Sequence, residues 1–349
     1  GGITAEQPLF TGFRNHNAIK QAGARIRAGG AQLAATEQQV LYDVAAAYFN
    51  VQRNMAVFEL NNRNVMVLGR QREMAQARFE VGELTRTDVA QAEARLAEAR
   101  ARLSQAQGEL AIARSAYAEL VGQLPGDLAP VETLPELPES LETAQAIAAQ
   151  YAPALISARE AAEVSRRQVN IARGAFAPSV SLTAGYQYAE EPSTIIRNSE
   201  EFSFGARASM PIFLGGLNFS RVREAKALHW SDRSLVEAAE RNVDAQTISA
   251  WERLIAARAV AVSASASVEA NRLALEGVRQ EERVGTRTTL DVLNAEQEML
   301  NAEVSLVSAQ RDAQTAAYGL LAAIGMLTPE AAGLDAAALE GAALGLYDD

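Results

Sequence analysis

Apolar residues recur at alternating steps of three and four along two stretches of the chain, which begin at Val89 and Val292. This 3.5-residue period is that of a coiled-coil seam, so each stretch predicts one long helix packed against a neighbour. Alanine fills about every second seam position, and its small side chain lets two helix axes approach closely. The seams are Val89, Ala92, Leu96, Ala99, Leu103, Ala106, Leu110, Ala113, Tyr117 and Leu120, and then Val292, Ala295, Met299, Ala302, Leu306, Ala309, Ala313, Ala316, Leu320 and Ala323.

The two stretches belong to an internal duplication with a constant offset of about 203 residues. The segment "RFEVGELTRTDVAQAEARL" (78–96) matches "EERVGTRTTLDVLNAEQEM" (281–299), and "QPLFTG" (7–12) matches "MPIFLGG" (210–216). The chain is therefore two tandem copies of one architecture. Residues 151–203 have no counterpart in the first copy, so we expect about fifty further residues before Gly1 in the full protein.

A glycine and a Thr-x-x-Asp motif interrupt the helical pattern once in each copy. The preceding segments, 13–80 and 217–283, lack internal proline, and each predicts a helix of about 100 Å. The glycine supplies the left-handed backbone that ends such a helix, and the Thr-x-x-Asp motif is an acidic variant of the capping box that begins the next one. Each copy is thus predicted to be a long αα-hairpin. The tip residues are Gly82, Thr85 and Asp88 in copy one, and Gly285, Thr288 and Asp291 in copy two.

Two further stretches alternate apolar and polar residues instead. Residues 179–188, "SVSLTAGYQY", and 201–210, "EFSFGARASM", each predict a strand of about ten residues with one apolar face, and the polar segment 189–201 predicts a solvated loop. A strand of this length crosses a bilayer when it is tilted. Packing on a soluble core is the alternative, but the long helices leave no sizeable soluble domain to pack on. The residues expected to face lipid are Val180, Leu182, Tyr186, Phe202 and Phe204, with Thr183 and Arg207 on the opposite face.

Composition limits the chemistry of the chain. Of its 349 residues 48% are hydrophobic but only 6% are aromatic, which is typical of closely packed, alanine-rich helices. The net charge of −11 leaves no basic stripe for phosphates, so nucleic acid is excluded as a partner. There is no cysteine, no phosphate-binding glycine loop and no di-iron signature. The sequence therefore predicts no catalytic residue, no cofactor and no metal site, and the protein is not expected to be an enzyme.

The number of predicted strands indicates that several copies of the chain assemble. By the duplication, residues 1–7 are the remnant of a matching strand, so the full chain would contribute four strands. Open sheet edges do not occur in a membrane, and four strands do not close a barrel, so several chains must share one. Two chains would give about eight strands and a filled interior, whereas three would give about twelve and an open lumen. If the protein is a duct, it is therefore expected to be a trimer.

These features resemble the TolC-type outer-membrane efflux proteins, which are exit ducts of bacterial secretion and drug-efflux systems. The resemblance implies a mainly α fold with a small β part. Tandem-duplicated coiled-coil hairpins would form an α-barrel through the periplasm, and transmembrane β-strands would contribute to a shared trimeric β-barrel of about twelve strands in the outer membrane of a Gram-negative bacterium. The motifs that carry it are "AAYFNVQRN" (46–54), "RFEVGELTRTDV" (78–89), "PSVSLTAGYQY" (178–188), "MPIFLGG" (210–216) and "VGTRTTLDVLNAE" (284–296).

The same resemblance implies a function. The protein would be a passive channel-tunnel that serves type I protein secretion or drug efflux. It would be gated at the periplasmic helix tips and opened by docking of a periplasmic adaptor (membrane fusion) protein and an inner-membrane transporter. Its other partners would be two further copies of the chain and outer-membrane lipid. The alternative is a coiled-coil adaptor or scaffold of the cell envelope without a pore, although such a protein would carry one hairpin and additional β-domains.

The resemblance also assigns residues to the gate and the entrance. Asp291 stands where the family places an entrance carboxylate. Asn294 stands one turn on, where a second carboxylate is common, so one carboxylate ring is expected to be weak or absent. Arg287 matches a residue that bonds the neighbouring tip around Thr87 and Asp88.

One gate position departs from the family pattern. Glu282 stands where an aromatic hydroxyl can meet Asp88, and two carboxylates at that contact would repel each other. For Asp88 and Asp291, helix capping alone is the simpler interpretation of the same residues.

These elements predict a division of the chain into six parts. The outer-membrane strands are expected at residues 1–11 and 178–214, and a helix leading to the barrel at 153–176. The first hairpin is expected at 12–122 with its tip at 81–88, and the second at 215–325 with its tip at 284–291. A linker in an equatorial region is expected at 123–152, and a C-terminal equatorial tail at 326–349.

Overall fold

The computed structural model describes residues 1–126, 128–129, 135–193 and 196–329. No helix within these ranges is long and apolar enough to cross a membrane. The predicted equatorial tail lies mostly outside the described residues, as do residues 130–134 of the predicted linker. The elements are β1 (Gly2–Thr11), α1 (Arg14–Glu80), α2 (Arg86–Val121), α3 (Leu141–Tyr151), α4 (Pro153–Gly174), β2 (Ser179–Ser193), β3 (Ile196–Ser209), α5 (Leu217–Arg283) and α6 (Thr289–Ile324).

The duplication is visible in the lengths of the helices. Helices α1 and α5 each have 67 residues, and α2 and α6 each have 36. The first residues of α1 and α5, Arg14 and Leu217, are 203 positions apart, and so are those of α2 and α6, Arg86 and Thr289. The predicted long helices are therefore confirmed almost to the residue.

The heptad seam of α2 is buried as predicted along most of its length, from Val89 to Ala113. On α6 the buried face is wider than the predicted seam. Leu293 is 2% exposed although it lies outside the seam, whereas Met299 is only partly buried. The reason is that Leu293 packs against Leu68 and Leu96 of the first hairpin, so α6 buries a second face between the hairpins.

Helix α3 occupies part of the segment predicted to be a linker. Its first turn is capped, because the Thr143 amide donates to Ser140 Oγ at 3.2 Å. Ala144 and Ala148 are fully buried one turn apart, which explains why so short a helix is stable here. Helix α4 begins at Pro153, whose fixed φ suits a first helical position.

The strands form one antiparallel sheet in the order β1-β2-β3. Strands β2 and β3 have 15 and 14 residues, so both are longer than predicted. Pairing continues through polar residues such as Glu190 and Asn198, because backbone hydrogen bonds do not depend on side-chain polarity. The prediction of a loop at 189–201 was therefore wrong, although residues 194–195 lie outside the described part of the chain. The predicted strand region also extended too far, since β3 ends at Ser209.

The register places the predicted faces on opposite sides of the sheet. Leu182 pairs with Gln7 and Ala206, and its face carries the whole predicted lipid-facing row. Thr183 lies on the other face, opposite Glu6 of β1. Strand β1 is an edge strand, and its register shifts between Pro8 and Phe10, which is where a proline is tolerated in a sheet.

The chain divides into two compact units. The first comprises Gly1–Ala35 and Gln150–Val243, and the second comprises Thr36–Ala149 and Asp244–Asp349. In the first unit, α4 bonds to both long helices: Glu160 accepts from Arg27 of α1 at 2.8 Å, and Arg159 donates to Glu240 of α5 at 3.1 Å. The sheet and the first turns of α1 and α5 are in this unit, whereas both hairpin tips are in the second.

Candidate gate at the helix tips

Both hairpin tips have the same backbone conformation. Gly82 and Gly285 have φ values of 82° and 79°, in the left-handed region that glycine adopts without strain. Their amides donate to the carbonyls of Phe79 and Glu282 at 2.9 Å, so each glycine closes the last turn of a long helix. The tip turns thus have the conformation that the sequence predicts.

A complete capping box follows each glycine. The Thr85 amide donates to Asp88 Oδ2 at 2.9 Å, and the Asp88 amide donates to Thr85 Oγ1 at 3.3 Å. The corresponding distances for Thr288 and Asp291 are 2.9 and 3.2 Å. The threonine amide, followed by the threonine hydroxyl, holds the pKa of each aspartate below its ordinary value. Both aspartates are therefore charged helix caps, whatever further role they have at the gate.

Arg287 is paired within its own hairpin. Its Nε donates to Glu281 Oε2 at 2.9 Å, and both side chains are about half exposed. Glu281 and, more weakly, Asp291 raise the pKa of the guanidinium. Arg287 is not bonded to Thr87 or Asp88 of the same chain, and Thr87 is exposed to solvent. The predicted bond to a neighbouring tip therefore requires the tip of another chain.

Glu282 binds an arginine and is not bonded to Asp88. Arg78, in the last turn of α1, donates from Nη1 to Glu282 Oε1 at 2.8 Å and from Nε to Glu83 Oε2 at 3.1 Å. The bond to Glu282 and then that to Glu83 raise the pKa of Arg78. We call Arg78, Glu83 and Glu282 the tip bridge, because they connect the two hairpins of one chain. The expected repulsion is absent in this chain, since a cation neutralises Glu282.

Asn294 also connects the hairpins. Its Oδ1 accepts a hydrogen bond from Arg95 Nη2 of α2 at 3.0 Å. A neutral amide accepts this bond without adding charge, so the position contributes no carboxylate to a ring. The arginine on the opposing helix was not identified from the sequence.

A buried carboxylate lies five residues, about one and a half turns, after the Asp291 cap. Glu296 is 8% exposed, accepts a hydrogen bond from Arg279 of its own hairpin, and is 3.4 Å from Gln71 Nε2 of the first hairpin. Sequence reasoning missed this residue. The duplication offered a signal, because Glu93 occupies the matching position of copy one, but Glu93 is exposed. The side chain of Arg279 is 46% exposed and that of Glu296 is 9% exposed, so only the carboxylate is buried, and leaving it unpaired would be costly.

An open crevice of about 560 Å³ separates the helix ends near the tip bridge. Its apolar wall includes Met74, Leu84 and Val292, and its basic wall includes Arg70 and Arg283. The crevice thus combines an apolar wall with exposed basic side chains. Among the described residues, no group of His, Cys, Asp or Glu is arranged to hold a metal ion.

The strand residues form a second exposed surface. Phe202 and Phe204 are 77% and 74% exposed, and Tyr186 is 42% exposed on the same face. Val180 and Leu182 are half-buried against their neighbours. A row of exposed aromatic side chains is unusual for a sheet surrounded by water.

Comparison with known proteins agrees with these features. The family model described as "Outer membrane efflux protein" matches residues 1–123 and 146–326. The chain is 35% identical to the outer membrane efflux protein BepC of Brucella suis, over 96% of this chain and 74% of that protein. It is 30% identical to the outer membrane protein TolC of Vibrio cholerae, over 94% and 77% of the two chains. Identity to the alkaline protease secretion protein AprF of Pseudomonas aeruginosa is 27%, over 90% and 67%.

Two solved structures share the fold. The outer membrane protein VceC of Vibrio cholerae superposes with a TM-score of 0.76 and 24% identity, over 93% of this chain and 79% of that chain. CusC superposes with a TM-score of 0.81 and 22% identity, over 93% and 77%. At these identities the likeness is one of fold.

Proposed function

Because the chain belongs to the outer membrane efflux protein family, we propose that it is an exit duct whose periplasmic end is gated by the hairpin tips. Its location is the outer membrane of a Gram-negative bacterium, with the helices extending into the periplasm. The proposal of a gate rests on the tip bridge. Two long helices end at matched glycine turns, and the Arg78–Glu282 ion pair connects these ends across the two hairpins.

The channel would be completed by three copies of the chain. The described sheet has two edge strands, β1 and β3, whose outer backbone groups need partners inside a membrane. Copies of the same chain supply such partners, and a homotrimer with a shared β-barrel leaves an open lumen. The apolar row on the Leu182 face would contact lipid, and the Thr183 face would contact the lumen.

The gate would be held closed by several weak contacts. The Arg78–Glu282 pair is partly exposed, and a pair of this kind contributes about 0–1 kcal/mol. Arg287 would exchange Glu281 for Thr87 or Asp88 of the neighbouring chain's tip in the closed trimer. The sum over three chains is small enough for a binding partner to overcome.

The opening partner would be a periplasmic adaptor that acts together with an inner-membrane transporter. The crevice beside the tip bridge supports this proposal, because an incoming helix could cover its apolar wall while acidic side chains meet Arg70 and Arg283. One relative is named for efflux and another for alkaline protease secretion, so the proposed function is either efflux or protein secretion.

Single-channel recording in a planar bilayer tests the function directly. The purified chain should require detergent for extraction and should give discrete conductance steps of low open probability. A chain that leaves the membrane fraction without detergent and gives no steps would instead be a scaffold. Adding the tip segment of a cognate adaptor should raise the open probability.

A further inference from the structure

The helix turns next to the sheet carry an excess of positive charge. Within residues 14–36, 164–174 and 217–231 the only carboxylate is that of Glu224, although the chain as a whole has a net charge of −11. We call the exposed cations of these turns the basic collar. They are Arg14, Lys20, Arg25, Arg173, Arg221, Arg223 and Lys226.

The collar cations are not neutralised by the protein. None of the seven forms an ion pair in the described residues, and Arg14 Nε donates only to the Thr11 carbonyl at 3.0 Å. Other arginines of the same turns are paired. The guanidinium of Arg166, followed by that of Arg167, lowers the pKa of Glu163 to about 2. Within the described part of the chain, the collar is thus a distinct set of cations that form no ion pair.

Two of these cations share a groove. A groove of about 400 Å³ is lined by Arg14 of α1, by Arg221 and Glu224 of α5, and by Gln168 of α4. Its remaining wall is mainly aliphatic, formed by Ile171, Ala172, Ala175, Ala225 and Leu228. A guanidinium binds a phosphate through two parallel hydrogen bonds, and the aliphatic wall suits the first carbons of an acyl glycerol.

Exposed apolar side chains stand between the groove and the strands. Phe13, Ile212 and Phe213 are 65%, 95% and 80% exposed in the turns that join strands to helices. Aromatic and aliphatic residues next to basic residues are the pattern of a membrane–water interface. This pattern argues for a lipid as the source of the phosphate, because a free phosphate ion would gain nothing from an apolar border.

We propose that the groove binds the headgroup phosphate of an anionic phospholipid in the periplasmic leaflet, with the rest of the basic collar attracting that leaflet. The inference rests on the proposed membrane position of the strands. A basic residue close to an anionic surface contributes about 1 kcal/mol, so removing two of them should weaken binding about thirtyfold.

The test uses the delipidated, detergent-purified assembly and native mass spectrometry. Phosphatidylglycerol and phosphatidylcholine are titrated separately, and bound lipids per chain are counted. The parent should prefer phosphatidylglycerol, and Arg14→Gln combined with Arg221→Gln should weaken that binding about thirtyfold. The control combines Arg233→Gln with Arg241→Gln, which removes equal charge from exposed positions of α5 about 18 Å or more beyond Arg221.

Three results would overturn the inference: equal weakening in both double variants, no preference of the parent for phosphatidylglycerol, or displacement of the lipid by an equal concentration of inorganic phosphate. If the glutamine variant does not assemble, Arg14→Lys with Arg221→Lys should retain most of the binding, and its loss would equally contradict a phosphate site. Single-channel conductance, measured on the same preparations, tests the proposed function separately from lipid binding, since the groove is not part of the gate.

Discussion

At the scale of single residues, the two tip aspartates make the same capping bonds in different electrostatic surroundings. Asp88 interacts with its own threonine, whereas Asp291 also experiences the field of Arg287. Equal capping geometry therefore does not give equal electrostatic surroundings. Only the aspartate of the second copy is influenced by a nearby arginine, Arg287.

The lowered pKa of these aspartates predicts how the tips respond to acid. Capping by a carboxylate of depressed pKa is complete above the ordinary value near 4 and is lost as pH falls through the lower folded value. The chain has no cysteine, so a spin label at Val284→Cys reports the tip alone. Label mobility should stay constant down to about pH 4 and rise below it. Adding Asp291→Asn should remove this rise, because the amide accepts hydrogen bonds but does not titrate; an unchanged rise would rule out the cap as its source.

The tip bridge predicts a gating phenotype. Arg78→Ala removes a pair worth about 0.5 kcal/mol in each of three chains, so the open probability should increase about tenfold in planar bilayers. Arg86→Ala is the matched control, since Arg86 is an exposed arginine of the same tip that forms no ion pair with the described residues. Equal conductance of the two variants would show that the bridge does not hold the gate.

The sequence predicted the local contacts of the site but not the distant ones. The bonds of Thr85 to Asp88 are set by helix geometry over three residues, so the motif alone was sufficient. The bond of Arg78 to Glu282 joins positions 204 residues apart. It depends on how the hairpins pack, which no local pattern encodes. For the same reason Glu282 was expected to repel Asp88, and the buried role of Glu296 was missed.

At the scale of elements, the alanine seam predicts a limit on side-chain size. Ala99 and Ala302 are 3% and 7% exposed, so leucine at either position should force neighbouring helices apart and cost about 1–3 kcal/mol. Ala97→Leu, on the exposed face of α2, should change the stability little. Thermal denaturation of the assembly measures the difference. Similar shifts at Ala97 and Ala99 would contradict close packing at the seam.

The register of the sheet predicts that arginine has opposite effects on assembly at two adjacent positions, 182 and 183. Arginine on a lipid-facing site at the bilayer midplane costs about 2–4 kcal/mol, so Leu182→Arg should impair assembly in the outer membrane. Thr183→Arg places the same charge on the face that we assign to the lumen and should be tolerated. Heat-stable oligomer on gels, measured from outer-membrane fractions, distinguishes the two. Equal assembly would refute the assignment of faces.

Long periodic elements were predictable, and short or polar ones were not. Helices α2 and α6 were predictable because their apolar seams repeat over ten positions, and α1 and α5 were predicted to within a residue or two because 13–80 and 217–283 contain no proline and end at the tip glycines. Helix α3 has 11 residues and a stripe of only two alanines, which is too little signal against a Pro-rich surrounding. The ends of β2 and β3 were missed because their pairing continues where the apolar alternation stops.

At the scale of the whole molecule, the resemblance found in the motifs is confirmed by the family match and by the shared fold. The duplicated chain is asymmetric in one respect that matters for a pore. Only the second copy combines a capping aspartate with an arginine one turn before it, at Arg287 and Asp291. In a trimer the entrance would therefore carry one such set of charges for each chain.

This asymmetry predicts the response of the channel to polyvalent cations. Three copies of Asp291 about 8 Å apart would repel one another only weakly in water, so the closed end can hold them. A trivalent cation should bind this ring and block the parent channel. Asp291→Ala should keep a similar conductance and lose the block, whereas Asp88→Ala should keep it. Persistence of the block in Asp291→Ala would leave Asp291 as a helix cap only.

The equal lengths of α1 and α5, and of α2 and α6, constrain how this protein can be lengthened or shortened. Removing one heptad from α1 alone would retract its tip by about 10 Å, carrying Arg78 away from Glu282. The same deletion made in all four long helices keeps every tip level and every seam in register. Ducts of different reach should therefore arise by paired, whole-heptad changes in both copies, which sets a practical rule for engineering such a protein to a periplasm of another depth.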